Sequence, residues 1–147
     1  MNSNVTKYKR TADLIGANVG SVVSRIPESM LDPAMRAVLD PSWLDSMAEV
    51  MSADELAATI RDQTLEFSAT VLAGKPQDAI ELGIMVQMTV AQRQALRQAE
   101  LSQIPGLTER PHSSLMRLGL KCMETYAKLL DSLLKYRHSK LPVVRML

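Results

Sequence analysis

The side chains that most often catalyse reactions or bind metals are few and scattered in this sequence. His112 follows a proline, His138 lies near the end of a predicted helix, and Cys122 falls within an apolar row. One thiol and two distant imidazoles lack the spacing of a zinc site. Cys122 has no base nearby in sequence to activate it, so it is predicted to be an inert core thiol. No glycine-rich phosphate-binding motif occurs. The residues predict a protein that is not an enzyme and has no cofactor or metal.

The N-terminal segment KRTADLIGANVGSVVSRI, residues 9–26, has residue types that can bind DNA. Its pattern predicts a helix-turn-helix, with Ala12 at the helix crossing, a turn at Gly16 and Val22 buried by the second helix. Polar side chains of that second helix would face DNA, and the preceding bases would contact phosphates. A packing arm without DNA contacts is the alternative. The predicted DNA-binding residues are Lys7, Lys9, Arg10, Asn18, Ser21 and Arg25.

Charge is distributed unevenly, although the net charge is only +1. Residues 1–26 carry +3, residues 27–85 carry −8 and residues 86–147 carry +6. A basic arm, an acidic middle and a basic end indicate at least two surfaces with different partners. Chance variation among helix surfaces is the other explanation. The basic end favours an acidic partner, which is either nucleic acid or an acidic protein surface.

Prolines and capping residues divide the chain into helices that would position these side chains. Ten methionines and an aromatic content of 3% favour helices over strands. Ser52 and Glu55 form a capping-box pattern. The predicted fold is all-α, with an N-terminal helix-turn-helix-like unit, a long antiparallel helical hairpin that oligomerises and a short C-terminal tail. The predicted domains are 1–51, 52–140 and 141–147, and the predicted helices are 33–39, 41–51, 53–73, 77–103 and 113–139.

The last predicted helix has more apolar surface than a single partner helix covers. Two adjacent apolar rows run along RLGLKCMETYAKLLDSLLK, residues 117–135, and together they span about half of the helix circumference. One row can pack against the helix at 77–103. The second requires cover from the helix at 53–73 or from another copy of the chain, and the pattern favours another copy. The predicted interface residues are Met116, Leu120, Met123, Ala127, Leu130 and Leu134.

The order of these elements resembles that of the small terminase subunit of tailed bacteriophages. The best local similarity is HSSLMRLGLKCMETYAKLLDSLLKYRHS, residues 112–139, which is similar to the second core helix of such proteins. The resemblance implies a non-catalytic, DNA-recognising subunit of a viral genome-packaging motor. Its ring would bind the packaging site on double-stranded DNA and would recruit and regulate the large terminase subunit, an ATPase and nuclease. The resemblance also implies that the tail, 141–147, binds that large subunit.

Two other functions remain open from the residues alone. One is a helix-turn-helix transcriptional regulator that acts as a dimer on a palindromic operator. The other is an all-helical adaptor or inhibitor that binds a host protein and does not contact nucleic acid. No signal-peptide pattern begins the chain, and no uncharged apolar run approaches the roughly 18 residues of a membrane span. The sequence therefore predicts no membrane partner and a cytoplasmic location, which is the host cytoplasm if the protein is viral.

Overall fold

The computed structural model describes residues 3–140, and only the backbone for residues 3–11 and Pro41. This part of the chain forms six α-helices and no strand, which confirms the all-α prediction. The chain divides into two compact units, one ending at Gln77 and the other beginning at Asp78. The helices are α1 (Ser3–Gly20), α2 (Glu28–Val38), α3 (Pro41–Val50), α4 (Ala53–Ala73), α5 (Ala79–Ser102) and α6 (Glu109–Ser139).

The first helix does not contain the turn that the sequence predicts at Gly16. α1 continues to Gly20, so residues 9–26 do not form a helix-turn-helix with those boundaries. The glycines have another role, because side chains of α2 approach them closely. A β-carbon at Gly16 would lie 3.2 Å from Nη2 of Arg36, and one at Gly20 would lie 2.9 Å from Oε1 of Glu28. The flexible ends of the Arg36 and Glu28 side chains therefore lie over these glycines where α2 contacts α1.

The second helix begins earlier than predicted. Its N-cap residue is Pro27, with an extended backbone at φ −55° and ψ 140°, whereas the predicted helix begins at residue 33. Pro33 lies inside α2, where it cannot donate a backbone hydrogen bond. α2 buries Leu31 and Met35 against its neighbours. The apolar contacts of this helix outweigh the loss of one hydrogen bond.

Local capping signals set the starts of α3 and α4. The Asp40 carboxylate accepts a hydrogen bond from the Ser42 amide at 3.0 Å. Ser52 and Glu55 form the predicted capping box, in which the Ser52 hydroxyl accepts from the Glu55 amide at 3.1 Å. The Glu55 carboxylate accepts from the Ser52 amide at 3.2 Å. The predicted span of α4, 53–73, agrees with the structure.

α4 belongs to the N-terminal unit. The predicted domain boundary at residue 51 instead places this helix in the second domain. It contacts α1, α2 and α3. Its buried side chains include Leu56, Ile60, Phe67 and Val71, which form one stripe of the helix. This stripe completes the core of the first unit. The second unit therefore consists of α5 and α6, rather than of the whole span 52–140.

α5 and α6 pack against each other in antiparallel order. A six-residue connection, Gln103–Thr108, joins them, and Gly106 within it has a φ of +86°, which favours glycine. Next to this connection, Nδ1 of His112 lies 2.9 Å from the Ser102 carbonyl oxygen. Further along, a β-carbon at Gly119 would lie 3.7 Å from the Ala95 carbonyl oxygen. The two helix backbones therefore approach closely at these small residues.

α6 begins four residues earlier than predicted. Its first residue is Glu109, and Thr108 occupies the N-cap position without a side-chain capping bond. Pro111 is tolerated because it lies in the first turn, where backbone N–H groups have no acceptor within the helix. Ser113 and Ser114 consequently lie inside α6 and do not cap it.

Candidate interaction surfaces

Asn18, one of the predicted DNA-binding residues, is part of the N-terminal core. It is 7% exposed. Its Nδ2 donates a hydrogen bond to the Leu14 carbonyl at 2.8 Å. Its Oδ1 accepts one from Nη1 of Arg61 on α4 at 2.9 Å. Because α1 does not turn at Gly16, Asn18 faces α4, and the amide is not free to contact a DNA base.

The other predicted DNA-binding residues differ in what the structure describes. Arg25 and Ser21 are exposed in the connection between α1 and α2, and the Ser21 hydroxyl donates to the Asn18 carbonyl at 2.7 Å. The side chains of Lys7, Lys9 and Arg10 lie outside the described residues.

The rest of the N-terminal unit is acidic. Ten acids and four bases lie between residues 12 and 77. Any DNA-binding surface on this unit would therefore depend on the bases near its N-terminus.

α6 exposes the second apolar row along most of its length. Its long side chains are between 38% and 61% exposed, and Ala127 is exposed as well. The row extends over about 27 Å, since a helix rises 1.5 Å per residue. A continuous apolar patch of this kind, bordered by charged residues, is typical of an interaction site. The individual exposed fractions are Met116 43%, Leu120 59%, Met123 61%, Leu130 38% and Leu134 56%.

The first apolar row of α6 has a different environment. Its members are Leu115, Leu118, Cys122, Tyr126, Leu129, Leu133 and Tyr136. Cys122, Tyr126 and Leu129 are half-buried, and Leu133 is the one fully buried side chain of α6. Leu118 departs from this pattern and is 49% exposed. The contacts of α5 with α6 therefore cover most of the first row and leave the second uncovered within the α5–α6 unit.

A charged rim borders the exposed row on one side. The signs of its charges alternate, and its members are all exposed: Lys121, Glu124, Lys128 and Asp131. Nζ of Lys135 lies 2.8 Å from Oδ2 of Asp131, and this contact raises the pKa of Lys135. Such an exposed pair contributes little to stability because water screens it. The sign and order of these charges matter more for the choice of partner.

A polar cluster joins the beginning of α5 to the end of α6. Tyr136 Oη donates to Oδ2 of Asp78 at 2.8 Å. Arg137 Nε donates to Oε1 of Glu81 at 3.0 Å. Lys140 Nζ binds Asp78 and lies 4.1 Å from the centroid of the Tyr136 ring. Glu81 is 1% exposed, so Arg137 compensates a carboxylate that is removed from water.

The cluster holds the pKa of Asp78 well below its ordinary value of 3.8, at about 2. The main cause is the hydrogen bond from the Glu81 amide at the start of α5, followed by the bond from Lys140. The Asp78 contact also raises the pKa of Lys140. Each charge is therefore stabilised by the other at neutral pH.

Sequence reasoning missed this cluster, although part of its signal was visible. Asp78 precedes an apolar helix and has Glu81 three residues later, which is a recognisable N-cap pattern. The bases Arg137 and Lys140 were expected to attract an acidic partner. In the structure their acidic partners are Asp78 and Glu81 of the same chain. Only the fold brings these residues together.

Within residues 3–140, no cluster of histidine, cysteine and acidic side chains could hold a metal ion. None of the helices in this part of the chain combines the length and hydrophobicity that a membrane span requires. Comparisons with protein-family models, with curated proteins and with solved structures gave no significant match. The exposed row of α6 is therefore the candidate functional surface, on the strength of its own geometry.

Proposed function

We propose that this chain is a non-catalytic subunit that self-associates through the exposed apolar row of α6 and binds double-stranded DNA. The observation that carries the proposal is the exposure of the row Met116–Leu134, which includes five large apolar side chains. Burying these side chains against another copy would remove a continuous apolar surface from water. The residues in contact would be Met116, Leu120, Met123, Ala127, Leu130 and Leu134.

In this proposal the assembly has the role of the small terminase subunit of a tailed bacteriophage. It would recognise the packaging site and recruit the large subunit, which supplies the ATPase and nuclease activities. Support comes from the resemblance of residues 112–139 and from the exposed row within that span. The tail at 141–147, to which the resemblance assigns contact with the large subunit, lies outside the described residues.

The molar mass in solution tests the self-association. Light scattering behind size exclusion, at low and at high salt, should give a mass of several subunits that does not fall in high salt, because apolar contacts are not screened. Eight or more subunits would support a ring. Two subunits would favour a dimeric DNA-binding regulator. A monomer at all accessible concentrations would contradict the proposal.

DNA binding is tested separately, by fluorescence anisotropy of labelled duplex DNA across a range of salt concentrations. Replacing Lys7, Lys9 and Arg10 together with alanine should weaken binding. It should also reduce the slope of log affinity against log salt by about 2.7, because each lost phosphate contact reduces it by about 0.9. The matched control replaces Arg36, Lys75 and Arg110 with alanine, which removes the same charge from exposed positions outside the apolar row. Equal losses in both variants would mean that the N-terminal bases are not the DNA-binding surface.

A further inference from the structure

We infer that the α5–α6 hairpin opens locally from its connecting loop, while the end near Asp78 stays closed. The near half consists of residues 79–91 of α5 and 124–139 of α6, and the far half of residues 92–102 and 109–123. Three features of the hairpin are distributed unevenly between these halves: buried side chains, helix-terminal residues and polar contacts between the helices. Such opening takes place within one chain, so it does not depend on the proposed self-association.

Buried apolar side chains are concentrated in the near half. In the far half, all of which the structure describes, the one fully buried residue is the polar Ser102. The side chains of Leu96, Leu118 and Leu120 in this half are between 49% and 59% exposed. A segment with so few buried apolar contacts opens at a lower free energy than the rest of its unit. The buried apolar residues of the near half are Met85, Val86, Met88, Ala91 and Leu133.

The helix ends are also stabilised unequally. At the near end, the Asp78 carboxylate caps α5 by accepting a hydrogen bond from the Glu81 amide at 2.9 Å, and Arg137 lies in the last turn of α6. Both charges suit the dipole of the helix that they terminate. At the far end, Thr108 makes no side-chain capping bond to α6, and the last turn of α5 contains no base. Glu109 supplies one favourable charge to the start of α6, but no side chain caps that start as Asp78 caps α5.

Polar contacts between the two helices anchor the near end. Nε of Arg137 lies 3.0 Å from Oε1 of Glu81, which is 1% exposed. Opening the near half would therefore separate a buried carboxylate from its counter-charge, which is costly. At the far end, Nδ1 of His112 lies 2.9 Å from the Ser102 carbonyl oxygen. His112 is exposed, so water can replace this hydrogen bond when the helices separate.

Local opening would interrupt the apolar row of α6. The far part of α6 contains Gly119 and two serines, which have low helix propensity, so it should lose helical structure when α5 moves away. Met116, Leu120 and Met123 would then no longer continue the row formed by the near half. This step rests on the proposed self-association: copies that associate through the whole row bind only the closed hairpin and shift the population towards it.

Amide hydrogen exchange of the full chain, measured by mass spectrometry on dilute protein that has not associated, tests the opening. Relative to their intrinsic rates, amides at 94–101 and 112–121 should exchange at least about tenfold faster than those at 82–91 and 126–137. A difference of about tenfold corresponds to the burial of one apolar side chain. Equal protection of the two halves would mean that the hairpin opens as one unit, which would overturn the inference.

Arg137→Gln distinguishes a locally opening far half from a fully cooperative hairpin. The substitution removes the partner of Glu81, so exchange in the near half should become at least about tenfold faster. Exchange in the far half should change by less than about twofold, because that half opens while the contact of Arg137 is intact. Lys128→Gln removes an exposed positive charge from the near half and is the control, which should leave both halves unchanged. An equal acceleration of both halves by Arg137→Gln would contradict local opening.

A disulfide bond across the far half shows whether exchange requires the helices to separate. A β-carbon at Gly119 would lie 3.5 Å from Cβ of Gln98, and disulfides form when these atoms are about 3.5–4.5 Å apart. In a Cys122→Ser background, oxidation of the Gln98→Cys, Gly119→Cys variant should slow exchange in the far half by about tenfold or more relative to the reduced form. Unchanged exchange on oxidation would mean that the amides fray without separation of the helices, which also overturns the inference.

Protein concentration distinguishes local opening from its coupling to self-association. If copies associate through the row, exchange in the far half should slow as the concentration rises, because association stabilises the closed hairpin. Exchange that is faster in the far half but independent of concentration would support local opening and contradict the coupling. A monomer by light scattering would contradict the proposed self-association alone.

Discussion

Leu120→Ala is expected to weaken self-association without unfolding the chain. Leu120 is 59% exposed and lies in the apolar row of α6, which is the proposed contact between copies. Alanine has a higher helix propensity than leucine, so the helix itself should not be lost. The effect should therefore fall on the contact between copies.

The magnitude follows from the exposed fraction. Leu→Ala removes three side-chain carbons, each of which contributes about 0.8 kcal/mol when fully buried. Since 59% of the side chain is exposed in the single chain, about 1.4 kcal/mol of this depends on the partner copy. When two copies meet through this row, both carry the substitution, so the loss is about 2.8 kcal/mol, which corresponds to a dissociation constant about 100-fold higher.

Sedimentation equilibrium of the variant and the parent chain over a range of concentrations measures the dissociation constant. Leu96→Ala is the matched control, because Leu96 lies on α5 and is also 59% exposed. Circular dichroism should show the same helix content in all three proteins. If Leu120→Ala leaves the dissociation constant unchanged, or if Leu96→Ala raises it as much, the assignment of the α6 row is refuted.

Four further substitutions, at three positions, test the packing within each unit. Gly119→Ala should be tolerated and should stabilise α6 by up to about 1 kcal/mol. Gly119→Leu should destabilise the α5–α6 unit, because the longer side chain would meet Ala95. Urea unfolding distinguishes the two variants. Asn18→Ala should cost about 1–3 kcal/mol, because Arg61 loses its partner, and a variant of unchanged stability would contradict the burial of Asn18. Asp78→Asn should lower the melting temperature at neutral pH. That difference should persist down to about pH 4 and vanish as the pH falls through about 2, because the pKa of Asp78 is lowered in the folded state.

Helix limits could be predicted from sequence where the signals are local. α4 begins at the Ser52–Glu55 capping box and ends before Gly74, and both signals were readable in the sequence. Gly16 was misleading, because glycine also occurs where another helix approaches closely. Here that helix is α2, whose contact with α1 cannot be read from the sequence. Pro33 predicted the start of a helix, but α2 begins before it and continues through it. Burial of α2 outweighs the backbone hydrogen bond that Pro33 removes.

Candidate surfaces were predictable to different degrees. The two rows of α6 follow from a fixed period of 3.6 residues, and their different exposure follows from having one partner helix, α5. The sequence could not show whether the Asn18 side chain is buried, because its direction depends on whether the helix turns at Gly16. The pairing of Glu81 with Arg137 was invisible, since these residues are far apart in sequence and the contact depends on the antiparallel packing of α5 and α6.

Self-association would also stabilise the α5–α6 unit. The N-terminal unit buries Leu31, Met35 and Phe67 almost completely. The core of the α5–α6 unit is smaller and slightly more exposed, and its apolar members are Met85, Val86, Met88, Ala91 and Leu133. A helix pair with so small a core depends on additional contacts, and a second copy along the exposed row would supply them. Because binding to the folded state stabilises it by mass action, the α5–α6 unit should become more stable as protein concentration rises.

Trp43, the single tryptophan, allows the two units to be followed separately. It lies on α3 in the N-terminal unit, so its fluorescence reports on that unit, while far-ultraviolet circular dichroism reports on all helices. As concentration rises, the transition seen only by circular dichroism should move to higher temperature, and the fluorescence transition should not. If both transitions were independent of concentration, folding of the α5–α6 unit would not be coupled to pairing. The exposed row would then have to be explained by a different partner.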